Sequence, residues 1–183
     1  MFALCKAMPA HGLLQRAFCV WWEGDNMVTL KPAGLEDAET LLAVQKQAFN
    51  ALLEKYQDYD TNPAMEPLAT LKRKLSERDY YLILLDGRKV GYIGVRRGED
   101  SLVITPIGLL PECQGKGVGH KAMLLLEELY PENRRWSLGT ILQEPGLCRF
   151  YESLGYRRTG EVTNIRPGMD EVGYEKVIEI EKG

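Results

Sequence analysis

The chain has 183 residues, 45% of them hydrophobic, with a formal charge of −3 and an isoelectric point near 5.6. That composition can fill the core of one domain and is too apolar for a disordered chain. The slight acidity argues against a nucleic-acid binder that depends on a broad basic face, and it leaves a cationic small partner open. Of the four cysteines, Cys5, Cys19, Cys113 and Cys148, no two have CxxC spacing, and His11 and His120 stand far apart. Neither a metal site nor a disulfide framework is expected, which is the pattern of a reduced, cytoplasmic chain. No apolar stretch reaches the length of a membrane span.

Residues 1–26 do not read as a signal sequence, because His11, Gln15 and Arg16 interrupt any apolar core. They form either an N-terminal extension carrying Trp21 and Trp22 or a start-site artefact with Met27 as the initiator. The pattern of a folded domain begins at Met27 and runs through 27–183. Met27 to Lys31 reads as a strand, broken by Pro32-Ala33-Gly34. Glu36 to Tyr56 carries apolar residues at helical spacing, among them Leu41, Leu42, Phe49 and Leu52. Turn residues from Asp58 to Pro63 separate it from a second helix, Pro67 to Glu77.

Tyr80 to Leu85 and Val90 to Val95 form two strands joined by Asp86-Gly87, a hairpin signal. A third strand, Ser101 to Leu110, contains Pro106 and Gly108, which suggests a bulge or an edge that splays from its neighbour. A helix to Tyr130 follows, then a strand over Arg135 to Thr140. The next helix, Pro145 to Leu154, stops at Gly155. Tyr156 to Ile165 is a strand, and Val172, Tyr174, Lys176, Ile178 and Ile180 alternate along the last one. The resulting order β, α, α, β, β, β, α, β, α, β, β predicts a mixed α/β fold with helices on a largely antiparallel sheet.

Between the third of these strands and its helix lies Gln114-Gly115-Lys116-Gly117-Val118-Gly119. A tight glycine turn at a helix start bares several backbone N–H groups at the positive end of the helix dipole, where a phosphate binds well. Three templates compete for it. A Walker loop needs GxxxxGK followed by Ser or Thr, which is absent. A dinucleotide fingerprint needs GxGxxG after a βαβ strand, and here the third glycine comes one place early.

The third template fits. Gln114-x-x-Gly117-x-Gly119 resembles the Q/R-x-x-G-x-G/A signature of the GNAT superfamily of acyl-CoA-dependent N-acyltransferases. Leu109-Leu110-Pro111-Glu112 looks like that family's lead-in, and Phe150-Tyr151-Glu152-Ser153-Leu154-Gly155-Tyr156 looks like its F-Y-E-x-L-G-F/Y segment. The motif resemblance covers residues 101–160, and the element order extends it over 27–180. It implies the family's splayed sheet and acetyl-CoA as co-substrate, with no metal. The pyrophosphate would rest on the amides of Gly115, Lys116, Gly117, Val118, Gly119 and His120, with Gln114 capping the turn. The pantetheine arm would lie along Ile107, Gly108 and Leu109.

In the resemblance the N–H of Leu109 polarises the thioester carbonyl, and Tyr151 protonates the departing sulfur. Each of these residues also has a plain structural reading: Lys116 as a solvated turn lysine, Gly108 as a bulge glycine, Tyr151 as a core tyrosine. Two family positions differ. Glu144 stands where members often have Asn, and Gly139 stands where some carry a catalytic Glu. The family's acceptor pocket maps onto Tyr56, Asp58, Asp60 and Glu66, which suit an ammonium group or serve merely as turn formers. The expected acceptor is a small-molecule or peptide amine, with neither nucleic acid nor membrane as partner. The oligomeric state is open, a homodimer being one option. A catalytically silent acyl-CoA sensor is the competing function, and a nucleotide binder the third.

Overall fold

The computed structural model describes residues 18–20 and 27–178. Eight strands form one sheet: β1 (Phe18–Val20), β2 (Val28–Pro32), β3 (Asp79–Leu85), β4 (Arg88–Arg97), β5 (Leu102–Leu109), β6 (Arg135–Ile141), β7 (Arg157–Arg166) and β8 (Met169–Val177). Four α-helices flank it: α1 (Ala38–Tyr56), α2 (Leu68–Glu77), α3 (Val118–Leu129) and α4 (Pro145–Ser153). From β2 onward the order is the one the periodicity predicts. The addition is β1, which pairs antiparallel with β2 through Phe18↔Leu30 and Val20↔Val28. Trp21, Trp22 and Ile180 lie outside the described residues.

The strands run in the order β1-β2-β3-β4-β5-β6-β8-β7. The Asp86-Gly87 turn closes β3 on β4 with both residues at positive φ, 51° and 78°, as a two-residue hairpin turn requires. At the end of α4, Gly155 takes φ 89° and Tyr156 N–H donates to Tyr151 O at 3.1 Å, the predicted glycine cap.

All neighbouring strands are antiparallel except β5 and β6, which run parallel and pair only at Leu102↔Trp136 and Val103↔Ser137. Beyond Val103 they part. The cause lies in β5: its register on β4 passes from Ile93↔Ile107 to Val95↔Ile104, so Thr105 and Pro106 together face the single residue Gly94. Pro106 has no N–H to give either neighbour. A Cβ on Gly94 would sit 2.2 Å from Thr105 Oγ1, so only glycine lets the bulge approach this closely.

The sheet buries a core on each face. On one face α1 and α2 cover Tyr80, Leu82 and Tyr92 with Leu41, Leu71 and Leu75. On the other, α3 and α4 cover Trp136, Leu138 and Tyr174 with Ala122, Met123 and Tyr151. Trp136 is completely buried. Truncating such a residue to alanine costs about 3–5 kcal/mol. The α3/α4 core includes residues from both sides of the seam, Ile83 and Ile93 on one and Trp136 and Tyr174 on the other, and so ties the two halves of the sheet together where β5 and β6 diverge.

Candidate active site

The open edge of β5 is set by hydrogen-bond parity. Leu110 N–H donates to Val90 O at 2.8 Å, and the register pairs Leu109 with Gly91, Gly108 with Tyr92 and Ile107 with Ile93. Bonded and non-bonded pairs alternate along an antiparallel ladder. Gly108 therefore spends its backbone groups on β4, while those of Ile107 and Leu109 point into the seam. Leu109 O accepts from Gln114 Nε2 at 2.9 Å, so the Gln114 side chain ties the turn to the strand edge and leaves the Leu109 N–H as that residue's free group. Gly108 has a packing reason for its missing side chain: a Cβ there would lie 2.6 Å from Tyr92 Cε1 and 3.2 Å from Phe49 Cε2. Its small size serves the α1 core, and the bulge lies at Thr105-Pro106.

The glycine turn follows directly. Gly115 and Gly117 take φ 69° and 77°, conformations that cost other L-residues about 1–2 kcal/mol. Nothing lies within 4 Å of where their side chains would be. Gln114 N–H donates to Pro111 O (3.2 Å) and Lys121 N–H to Gly117 O (3.0 Å). Between these two, the amides of residues 115–120 include the orphan first-turn donors of α3. Lys116 is exposed, His120 is half-buried, and Val118 and Gly119 are buried.

Tyr151 approaches from the α3/α4 face. Its ring is wedged among Phe150, Tyr156 and Tyr174, at centroid distances of 4.9, 6.1 and 6.2 Å, and 7% of the residue remains accessible. Burial raises its pKa above the usual phenol value, which keeps the proton on the hydroxyl. Beside it, Tyr174 is pushed up to about 12, again first by burial.

The opposite side of the seam is made of side-chain pairs. Glu144, in the connection after β6, accepts from Lys55 Nζ at 2.5 Å and Tyr56 Oη at 2.6 Å. Burial opposes its charge, but these two bonds prevail and hold its carboxyl below the ordinary range. Since α1 lies over β4 and β5 and Glu144 follows β6, this bridge spans the mouth of the seam. Asp58 is 3% exposed. It accepts from Thr61 N–H at 3.0 Å and from the Thr61 hydroxyl. Burial again works against its charge, and Thr61 together with Arg166 lowers its pKa. Glu66 pairs with Lys74 and accepts from Gln45 Nε2 at 2.9 Å.

Asp60, Glu66 and Lys74 line a cavity of about 290 Å³ that reaches Pro106 at the bulge. Of the four acceptor-side residues, Asp60 and Glu66 thus share a cavity. Tyr56 belongs to the bridge, and Asp58 fastens its own turn. Sequence reasoning marked Glu144 only as a departure from the family pattern and missed both its pairing with Lys55 and Tyr56 and Arg166, which donates to Gln57 O. Their partners lie 88 and 109 residues away, and no local pattern announces them.

A family model described as "Acetyltransferase (GNAT) family" matches residues 47–156. The chain belongs to the GNAT acetyltransferase family. No curated protein sequence matches it, but solved structures share the fold. An acetyltransferase from Thermus thermophilus is 18% identical with a TM-score of 0.65, over 82% of this chain and 97% of that one. PaiA N-acetyltransferase from Thermoplasma acidophilum, solved with coenzyme A, is 19% identical with a TM-score of 0.63, over 82% and 99%. The ribosomal-protein-S18-alanine N-acetyltransferase of Escherichia coli is 16% identical with a TM-score of 0.65, over 85% and 97%. In this GNAT chain no helix of the described residues is long and apolar enough to cross a membrane, and no group of three or more His, Cys, Asp or Glu among them is arranged to hold a metal ion.

Proposed function

We propose that this GNAT protein is an acetyl-CoA-dependent N-acetyltransferase that moves an acetyl group directly to a primary amine. The observation that carries the reading is the seam itself. Free amides at Ile107 and Leu109 run along its β5 edge, and it ends in a glycine turn whose N–H groups lack backbone partners. The open space beside Gly115 and Gly117 fits a diphosphate, and the strand edge fits an extended amide-bearing arm that bonds as an added strand. Residues 115–120 would hold the pyrophosphate, with Lys116 adding charge from the solvent side. Gln114 orients the edge by occupying Leu109 O, and the N–H of Leu109 polarises the acyl carbonyl.

Tyr151 is the general acid. Its hydroxyl is kept protonated by burial and stands on the face opposite the bridge, where it supplies the proton that the departing sulfur takes. An amine acceptor would enter from the α1/α2 side, past Tyr56 and the cavity lined by Asp60 and Glu66. Asp58 supports that wall by fixing its loop. The E. coli neighbour is named for acetylation of an alanine, which is in keeping with an amine acceptor.

The test is release of free thiol from acetyl-CoA against phenethylamine, spermidine and a tripeptide with a free N-terminus. Turnover with at least one of them is expected. Tyr151→Phe should lower kcat by about 100-fold while leaving the dissociation constant for coenzyme A unchanged. Tight coenzyme A binding with no thiol release across the panel would instead favour the acyl-CoA sensor.

A further inference from the structure

Removing a proton from the attacking ammonium needs a base, and the strand position that supplies a carboxylate in some relatives is Gly139. The space beside Gly139 is nevertheless filled. A Cβ built there would lie 2.5 Å from Glu171 Cδ and 2.8 Å from Glu171 Oε1. Glu171 stands on the adjacent strand β8, paired with Ile141, and its side chain leans back along the sheet over Gly139. Its carboxylate thus lies over the backbone of β6, where a side chain on residue 139 would begin. We propose that Glu171 is the general base of this enzyme, reaching across from β8 to serve the position that Gly139 leaves bare. The proposal rests on the acetyltransferase reading above.

Four observations support it. The first is the face. Trp136 and Leu138 point into the α3/α4 core, so alternation turns Gly139 to the α1/α2 side. Glu171, directly opposite Ile141, shares that side. Tyr151 acts from the α3/α4 side, so acid and base flank the seam from opposite faces. The second is position. β6 borders the seam, Gly139 lies two residues beyond the last β5–β6 pair at Ser137, and a carboxylate above β6 is about one strand spacing, ~5 Å, from the middle of the gap. A single water spans such a distance.

The third is freedom: Glu171 is exposed and no ion pair or hydrogen bond among the described residues engages its carboxylate. Glu144, Asp58 and Glu66, by contrast, are all committed to partners. The fourth is the surroundings. Thr163 stands opposite on β7, and Thr159 and Glu161 flank Gly173. Glu175, four residues along, is balanced by Arg135 at 3.9 Å and faces Arg157. Arg166, at the end of β7, is turned to Gln57 O. Among the described residues, Glu171 forms no ion pair, and Lys55 on the α1 side is paired with Glu144.

The proton balance closes. The ammonium gives one proton through water to Glu171, which passes it to solvent. The freed nitrogen bonds to the acyl carbon as the carbon–sulfur bond breaks, and the sulfur leaves with the Tyr151 proton. The second proton shed by nitrogen restores Tyr151, so one proton is released per turnover.

The experiment measures kcat/KM for whichever panel amine the wild-type enzyme acetylates, between pH 7 and pH 10. Glu171→Gln should lower it by about 100-fold at pH 7. The deficit should shrink to about threefold or less near pH 10, where the amine sheds its proton unaided, given a typical ammonium pKa of about 10. In a Glu171→Ala background, Gly139→Glu should restore at least about tenfold of the lost rate, because the carboxylate regains the same place from β6. A wild-type enzyme that acetylates while Glu171→Gln is unimpaired at pH 7, or impaired equally at every pH, overturns this assignment and leaves the acetyltransferase reading standing. A wild-type protein that acetylates none of the amines overturns both.

Discussion

The two sides of the seam are built from different materials. The β5 edge and the turn after it present backbone: the amides of Ile107 and Leu109, and those of residues 115–120. The α1–α2 side presents side chains already paired with one another, Glu144 with Lys55 and Tyr56, Glu66 with Lys74 and Gln45, and Asp58 with Thr61. On the proposed reading, the backbone donors recognise what every acyl-CoA shares, and they depend on few side chains beyond a requirement for glycine. On the same reading, the paired side chains set shape and charge for the acceptor. On the proposed reading, holding the acyl donor and choosing the acceptor fall to different parts of the molecule.

The largest expected effect breaks the first side. Gly117→Val places a branched side chain at φ 77° and over the free amides. Coenzyme A affinity measured by calorimetry should fall by about 100-fold or more, with a stability loss of about 1–2 kcal/mol from the left-handed backbone alone. An unchanged affinity would mean that the turn does not hold the phosphates. The second change addresses the other side. Lys55→Ala with Tyr56→Phe removes both donors to Glu144, and the KM for the amine should rise by about tenfold as the bridge opens. The coenzyme A dissociation constant should stay the same. If both constants move together, the two sides are not separable.

A third prediction concerns pH. The Asp58 carboxyl sits below its ordinary value, which is about 3.9 in an unfolded chain. Its contribution is therefore fully present above that value and is lost as the pH falls through the lower, folded value. Asp58→Asn keeps an acceptor for the Thr61 amide but cannot ionise. The melting-temperature gap between wild type and this variant should therefore be constant from about pH 8 to pH 5 and close below about pH 4. The smallest effect is Gln114→Ala, which loses one exposed hydrogen bond to Leu109 O. It should weaken coenzyme A binding by about threefold, within the ~0.5–1.5 kcal/mol typical of such a bond.

The same division explains what the sequence reveals. The hairpin at Asp86-Gly87, the break at Pro106 and the turn through Gly115 and Gly117 each need particular backbone angles or a missing donor, and only a few residue types supply them. These positions are legible without a partner in view. Even so, only parity on the β4 ladder separates Ile107 and Leu109, whose amides are open, from Gly108, whose amide is spent. Pairing between distant side chains leaves no local trace. Glu144 reads as an oddity in the motif until Lys55 and Tyr56 are seen beside it, and Gly139 reads as a missing base until Glu171 is seen lying over it. The strand at Phe18–Val20 is too short to announce itself by alternation, and it exists because β2 offers an edge.

The bulge at Thr105-Pro106 has a consequence for ligand entry. A strand edge that lost its partner merely by strain would zip up whenever the ligand departed, and each catalytic cycle would begin by prying it apart. A bulge bends the strand that carries it, and Thr105 and Pro106 together oppose Gly94 of β4, so the parting of β5 from β6 is set by the fold of the chain itself. If the seam takes the acyl donor as proposed, the donor slides into a standing slot, and its on-rate should be limited by diffusion and orientation rather than by any rearrangement of the sheet.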